Sequence, residues 1–263
     1  MTKKASKFLV MLTILGILLT PTSLIYANEN GDNLIDCMSY DEKVEYIQYL
    51  GISQEDSLAI PEWIMNDLIL DNQKIETYSY SITPMEENHA TSSEARVLDQ
   101  NVLLVYNFVS KNTNKSTNNA DYFDIKAYAN WGGTPLCYFT DVFATQWSSD
   151  CSLDTEWCGI RHSINGNDYT DCPLRTYGVN SGVAHSVDIK MGQNNYITQK
   201  ITIWRAKQSQ PYNLAVASSY AHKTISLPGE ISTTFGGDKP SFSAPITVTY
   251  SEAHPGYCSM LVE

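Results

Sequence analysis

Beyond residue 102 the apolar positions recur every second residue. Phe123, Ile125, Ala127, Ala129 and Trp131 alternate with Asp124, Lys126, Tyr128 and Asn130. Val183, His185, Val187, Ile189 and Met191 alternate with Ala184, Ser186, Asp188 and Lys190, and Ile197, Ile201 and Ile203 with Thr198, Lys200, Thr202 and Trp204. Successive strand side chains point to opposite faces, so each series predicts a strand with one apolar face turned inward. Further strands are predicted over 102–109, 138–147, 213–223, 230–235 and 245–251, punctuated by Gly132-Gly133, Asn165-Gly166, Gly192, Pro228-Gly229 and Gly236-Gly237. About eight strands with no helix between them predict a mainly β fold, an antiparallel β-sandwich or barrel over 99–263. Between Cys137 and Cys172 the alternation weakens. The polar stretch 148–175 reads as an excursion from the sheet, stapled by disulfides because it has no core of its own.

Before residue 74 the pattern is helical. Ser39-Tyr40-Asp41-Glu42 fits a capping box, with Val44, Ile47 and Leu50 behind it and Gly51 placed to end the helix. Pro61 suits the first turn of a second helix carrying Trp63, Ile64, Leu68 and Ile69. Residues 28–73 therefore read as a helical hairpin, an accessory or pro-segment, and 74–98 as a polar linker.

Residues 1–27 read as a secretion signal: Lys3, Lys4 and Lys7, an apolar run from Phe8 to Leu19, then Ala27 as the cleavage point. That run is shorter than the roughly 20 residues a membrane-spanning helix needs, and no later run predicts a membrane span. A secreted, extracellular protein is expected. The formal charge is −12, and loss of the three leader lysines makes the mature chain more acidic still. Such a chain repels nucleic acid and anionic lipid surfaces.

Six cysteines, Cys37, Cys137, Cys151, Cys158, Cys172 and Cys258, lie after the signal, and an even count in an exported chain predicts disulfides. Six cysteines allow about 15 connectivities. The expected scheme pairs neighbours between Cys137 and Cys172 and ties Cys37 to Cys258. The spacing matches no zinc pattern and no redox pair two residues apart.

Catalytic signatures are absent: no Gly-x-Ser-x-Gly elbow, no His-Glu-x-x-His helix, no phosphate loop. No cofactor is expected. His185 and His222 fall on apolar strand faces and read as core histidines with internal partners. Asp188 cannot serve His185, because the two residues point to opposite faces. A Cys158, His162, Asp168 nucleophile set is incompatible with a disulfide at Cys158. Asn165 to Asp171 carries calcium-type ligands without the spacing of an EF-hand and reads as an Asn-Gly turn, so no metal is expected.

Seventeen tyrosines and five tryptophans stand out. Tyrosine, tryptophan and arginine give binding surfaces rigid, amphipathic contact area. Tyr128, Trp157, Tyr169, Tyr177, Trp204, Arg161 and Arg205 are the surface candidates. Sandwich packing on two faces accounts for aromatic content equally well.

The helical segment Lys43-Val44-Glu45-Tyr46-Ile47-Gln48-Tyr49-Leu50-Gly51-Ile52, continued by Ile60-Pro61-Glu62-Trp63 and by a β domain containing Ser219-Tyr220-Ala221-His222-Lys223, is similar to small secreted proteins of Gram-positive gut bacteria. Some secreted proteins of such bacteria are superantigen-like factors that bind immunoglobulin. The resemblance implies a non-enzymatic binding protein whose partner is a host extracellular protein such as immunoglobulin, held by a sheet edge or an aromatic face. Two alternatives come from other classes. One is a secreted carbohydrate- or peptide-active hydrolase using Asp150, Asp154, Glu156 or Asp171. The other is a β-pore-forming toxin, suggested by the Ser/Thr-rich stretch from Ile231 to Tyr250.

Overall fold

The computed structural model describes residues 35–84, 102–132, 139–148, 150–162, 169–190, 193–208, 210–223, 229–245, 250–253 and 257–262. The chain divides into two compact units that meet in sequence at residues 72 and 73.

In the first unit, α1 (Tyr40–Tyr49), α2 (Gln54–Ala59) and α3 (Glu62–Asp71) follow one another. The expected capping box is present: Ser39 Oγ accepts from the Glu42 amide, and the Glu42 carboxylate accepts from the Ser39 amide. Gly51 follows α1 at φ 116°, the left-handed conformation glycine adopts without penalty. Among the described residues a further helix, α2, stands between the two expected ones. Ser53 caps the extra one through its side chain to the Asp56 amide (3.1 Å), a capping signal that Pro61 overshadowed. Val44, Ile47, Trp63, Ile64, Met65 and Leu68 are buried, and Lys43 reaches Glu62 at 2.6 Å.

The second unit is mainly β and antiparallel. Its first sheet runs β1 (Ile75–Pro84), β2 (Val102–Lys111), β3 (Ala120–Trp131), β9 (Tyr196–Ala206), β5 (Ser152–Arg161), β6 (Thr170–Asp171). The second runs β13 (Tyr250–Ala253), β10 (Tyr212–Lys223), β4 (Thr140–Trp147), β8 (Gly182–Asp188), β7 (Leu174–Gly178), with β14 (Cys258–Val262) also on β10. Apart from Met191, which lies outside the described residues, the apolar series named above face inward as expected. Phe123, Ile125, Val183, Ile201, Ile203, Leu214 and Val216 join one buried cluster. Leu103, Ala127, Ala129, Trp131, Phe143, Val187, Ile197 and Tyr220 join another.

Two expectations fail here. The linker assigned to 74–98 contains β1, whose residues from Thr77 to Pro84 pair one-to-one with β2. Its inward side chains, Thr77, Ser79, Ser81 and Thr83, are all hydroxylic, so period-two alternation was present without apolar contrast. The excursion assigned to 148–175 contains β5, an interior strand paired to β9 along its length. A register shift between Leu153 and Thr155 places Asp154 in a bulge. The bulge moves the inward set from Leu153 to Glu156, Cys158 and Ile160, which erases the two-residue period from the sequence.

A hairpin of β11 (Ser232–Thr234) and β12 (Ser241–Ser243) belongs to a third layer. Ile231 and Phe242, with Phe235, pack on Val142, Ala144, Ala184 and Ala221 of the second sheet's outer face. This places much of the stretch weighed as pore-forming against a sheet; residues 246–249 lie outside the described ones. Contact is close. A Cβ on Gly182 would sit 2.6 Å from the Phe235 ring and 2.7 Å from the Thr145 carbonyl oxygen. Gly182→Val is expected to destabilise the unit by about 1–3 kcal/mol in urea unfolding through overpacking.

Candidate functional site

The core chemistry begins with one irregularity repeated on five strands. Five inward apolar series are each interrupted mid-strand by a polar residue: Asn107 on β2, Thr145 on β4, His185 on β8, Gln199 on β9 and Ser218 on β10. Glu156 of β5 joins them. Apart from Glu156 all are buried. Alone, each would cost free energy in a dry core. Together they form one chain across the sandwich. With its amide turned to face Ser218, Asn107 Nδ2 donates to Ser218 Oγ at 2.5 Å. Ser218 and Thr145 hydroxyls lie 2.6 Å apart, and Thr145 donates to Gln199 Oε1. Gln199 Nε2 reaches His185 Nδ1 at 2.8 Å, and His185 Nε2 reaches Glu156 Oε2 at 2.5 Å.

The directions are self-consistent only for one state of His185. Gln199 Nε2 is a donor, so His185 Nδ1 must accept, and the ring proton must sit on Nε2 facing the carboxylate. Burial pushes the His185 pKa below its ordinary value, against the hydrogen bond and charge of Glu156, which raise it. The imidazole is therefore neutral near pH 7. Both ring nitrogens are engaged.

A second cluster lies on β4 and β10. The Asp141 carboxyl, fully buried, accepts from Tyr220 Oη (2.6 Å), from His222 Nδ1 (3.0 Å) and from the Lys223 amide (3.0 Å). The Trp131 ring meets His222 edge-on at 4.7 Å. Burial and Asp141 push the Tyr220 phenol well above its ordinary pKa. Both histidines thus occupy the core, as their strand faces predicted. Thr140 and Lys223, neighbours of this cluster in the chain, line a surface cavity of about 620 Å³ together with Leu174, Arg175, Asp188 and Glu230. Arg175 pairs with Glu230 at 2.8 Å and Thr140 with Asp188 at 2.7 Å.

The four carboxylates weighed for hydrolysis are spent separately. Asp150 meets Arg205 at 3.1 Å, Asp154 meets Lys115 at 2.9 Å, Asp171 accepts from Trp157 Nε1 at 2.9 Å, and Glu156 holds His185. Asn165 to Asp168 lie outside the described residues, as does Cys137. Among the described residues no group of three or more His, Cys, Asp or Glu is placed to hold a metal, and no helix is long and apolar enough to cross a membrane. Cys37, Cys151, Cys158, Cys172 and Cys258 are free thiols in the structure. Cys258 faces the core, its Sγ donating to the Val216 carbonyl oxygen at 3.6 Å, and Cys37 is exposed. Burial raises the Cys151 thiol to about 12.

The aromatic candidates separate. Tyr128 is corrected from surface to buried: it faces away from the inter-sheet core but joins a ladder in which Phe108 meets it at 6.0 Å and Tyr106 stacks on Phe108 at 6.3 Å. Arg205 is also buried, its guanidinium 3.8 Å from the Tyr212 ring centroid. Trp204 is partly exposed and stacks on Tyr122 at 6.4 Å, while Tyr177, 58% exposed, stands on β7 of the other sheet. Three candidates do meet. Trp157 and Tyr169, both partly exposed, pack edge-to-face at 5.2 Å, and Arg161, corrected like Arg205 from surface to buried, lies over Tyr169 at 5.3 Å and over Tyr196 at 5.8 Å. Gly159 makes room for them: a Cβ there would fall 2.5 Å from Trp157 Cζ2 and 3.0 Å from Tyr169 Cδ1. The group sits beside β6, whose two residues are exposed.

No family model and no curated protein matches the chain. Among solved structures it is similar to the collagen-binding domain of a Staphylococcus aureus adhesin, with a TM-score of 0.30, 8% identity, and coverage of 46% of this chain and 86% of that one. It is also similar to a pore-forming protein, with a TM-score of 0.29, 6% identity, and coverage of 70% and 92%. Clostridium perfringens delta-toxin gives a TM-score of 0.29, 8% identity, and coverage of 73% and 92%. Likeness at this level carries no argument about what the chain does.

Proposed function

We propose that this is an exported, non-enzymatic binding protein that engages a host extracellular protein such as immunoglobulin through the outer face of the first sheet at its β5–β6 end. The observation that carries the reading is the partly exposed Trp157–Tyr169 pair packed over Gly159, with the buried Arg161 against the Tyr169 ring, beside an exposed edge strand. Tryptophan and tyrosine are among the residues that dominate interface energetics, and here Trp157 and Tyr169 are held by each other and by the Arg161 guanidinium. A pre-ordered platform binds with a smaller entropic penalty than one assembled on contact. The leader-like residues 1–27 support export. Of the histidine–carboxylate pairs that would suggest chemistry, His185, His222 and Asp141 are buried, and Glu156 is partly exposed but already bound to His185.

The test is retention of serum and mucosal immunoglobulins by the immobilised exported chain, compared with Trp157→Ala. The reading expects retention that weakens about 30-fold or more in the variant, the loss typical of a central aromatic anchor. Equal retention by both proteins would move the site elsewhere, and no retention by either would remove immunoglobulin as the partner.

A further inference from the structure

Cys158 and Cys172 stand opposite each other. Gly159 pairs with Asp171 and Ile160 with Thr170 across β5 and β6, and the same antiparallel register carried one step further aligns Cys158 with Cys172. The Cys172 amide donates to the Cys158 carbonyl oxygen at 2.9 Å, so the facing relation continues past the end of β6. Directly opposed residues of a hydrogen-bonded antiparallel pair have Cα atoms about 5.5 Å apart. That falls within the range a disulfide spans without backbone movement, roughly 4.4–6.8 Å. The two side chains share one buried apolar cluster, and their thiols are within hydrogen-bonding reach of each other.

We propose that Cys158 and Cys172 are the site of a disulfide that closes the β5–β6 hairpin in the exported protein. The oxidant is a small-molecule disulfide such as oxidised glutathione. Two protein thiols and one glutathione disulfide give one protein disulfide and two glutathione thiols. One S–S bond breaks and one forms, and the two thiol protons end on the released glutathiones. Burial disfavours the Cys158 thiolate, which is the attacking form, so exchange belongs to folding, before the strand pair is sealed. β6 is only two residues long, so few ladder hydrogen bonds hold this edge. A covalent link at its end fixes Tyr169 and Asp171 against Trp157. The inference does not depend on the binding reading, since the pair lies on the inward face and the platform on the outward one.

The test is refolding of the reduced, exported chain in a glutathione redox buffer, alkylation of residual thiols in denaturant, and unreduced peptide mapping by mass spectrometry. The expected result is one linked peptide pair joining Cys158 to Cys172, two hydrogens lighter than its separate parts. Alkylated Cys158 and Cys172, or either one joined to another cysteine, overturns the proposal. Mapping on the unsubstituted chain avoids variants that fail to fold. The oxidised protein should melt about 6–10 °C above the reduced one, as expected for a link closing a loop of this size. Equal melting temperatures would contradict the clamp.

Discussion

Asp141→Ala will destabilise the β unit by about 3–5 kcal/mol, more than any other single truncation proposed for this molecule. Three donors converge on the Asp141 carboxyl: the Tyr220 hydroxyl, the His222 ring and the Lys223 amide. Asp141, Tyr220 and His222 are fully buried. Removing the acceptor leaves their donors without it in a place water does not reach, and an abandoned buried donor costs about 1–3 kcal/mol. Asp141→Asn, which keeps the volume and one acceptor oxygen, should lose less. Urea unfolding followed by tryptophan fluorescence separates the two, with an unchanged dependence on urea showing that only stability moved. A loss below about 1 kcal/mol for the alanine variant would mean that the cluster opens to water and is not a closed internal group.

The second large effect is acid lability traced to His185. Its folded-state pKa is lowered, with burial the leading cause, while in the unfolded chain it returns to about 6.5. As pH falls through that value the unfolded chain takes up a proton that the folded one refuses. Stability is therefore full above about pH 6.5 and declines below it, until the folded-state pKa is reached. The slope this one group contributes approaches 1.4 kcal/mol per pH unit. His162, also lowered by burial, adds to the same trend. Comparison with His185→Gln isolates the contribution: the variant should show a flatter stability profile between about pH 5 and 7. Parallel profiles would remove His185 as the cause.

These effects share an origin that is visible in the sequence one strand at a time. Val105-Asn107-Val109, Phe143-Thr145-Trp147, Val183-His185-Val187, Ile197-Gln199-Ile201 and Val216-Ser218-Tyr220 each place one polar residue within an inward apolar series. On a single strand such a residue reads as an interruption. Five at one level of the sandwich read as a belt, and the register between strands, which sequence does not state, is what aligns them. The faces of β3, β8, β9 and β10 were legible because apolar contrast survives around the polar position. β5 was not, for two reasons: the bulge at Asp154 shifts its period, and its inward Glu156 has its partner, His185, on another sheet. β1 was illegible because hydroxyl side chains on its inward face look like linker composition.

The group proposed for binding shows the same division. Trp157, Tyr169 and Arg161 were recognisable by residue type, but nothing local distinguishes them from Tyr128 or Arg205. Tyr128 lies on the same face of the same sheet yet is fully buried, because its cross-strand partner is Tyr106 and its ring contact is Phe108. Arg205 occupies an inward position of β9 and stacks on Tyr212. Gly159, on which the group depends, carries no signal beyond an isolated glycine in a strand, a known mark of close approach by another group.

The central claim is that the imidazole and carboxyl groups of the interior serve one another, which leaves the surface for the proposed binding. The most direct measurement is the tautomer of His185 by nitrogen-15 NMR at pH 7. The belt requires a neutral ring protonated at Nε2, donating to Glu156, with Nδ1 bare and accepting from Gln199. A ring protonated at Nδ1, or one charged at that pH, would contradict it, because Gln199 as oriented in the structure turns its amide donor toward Nδ1.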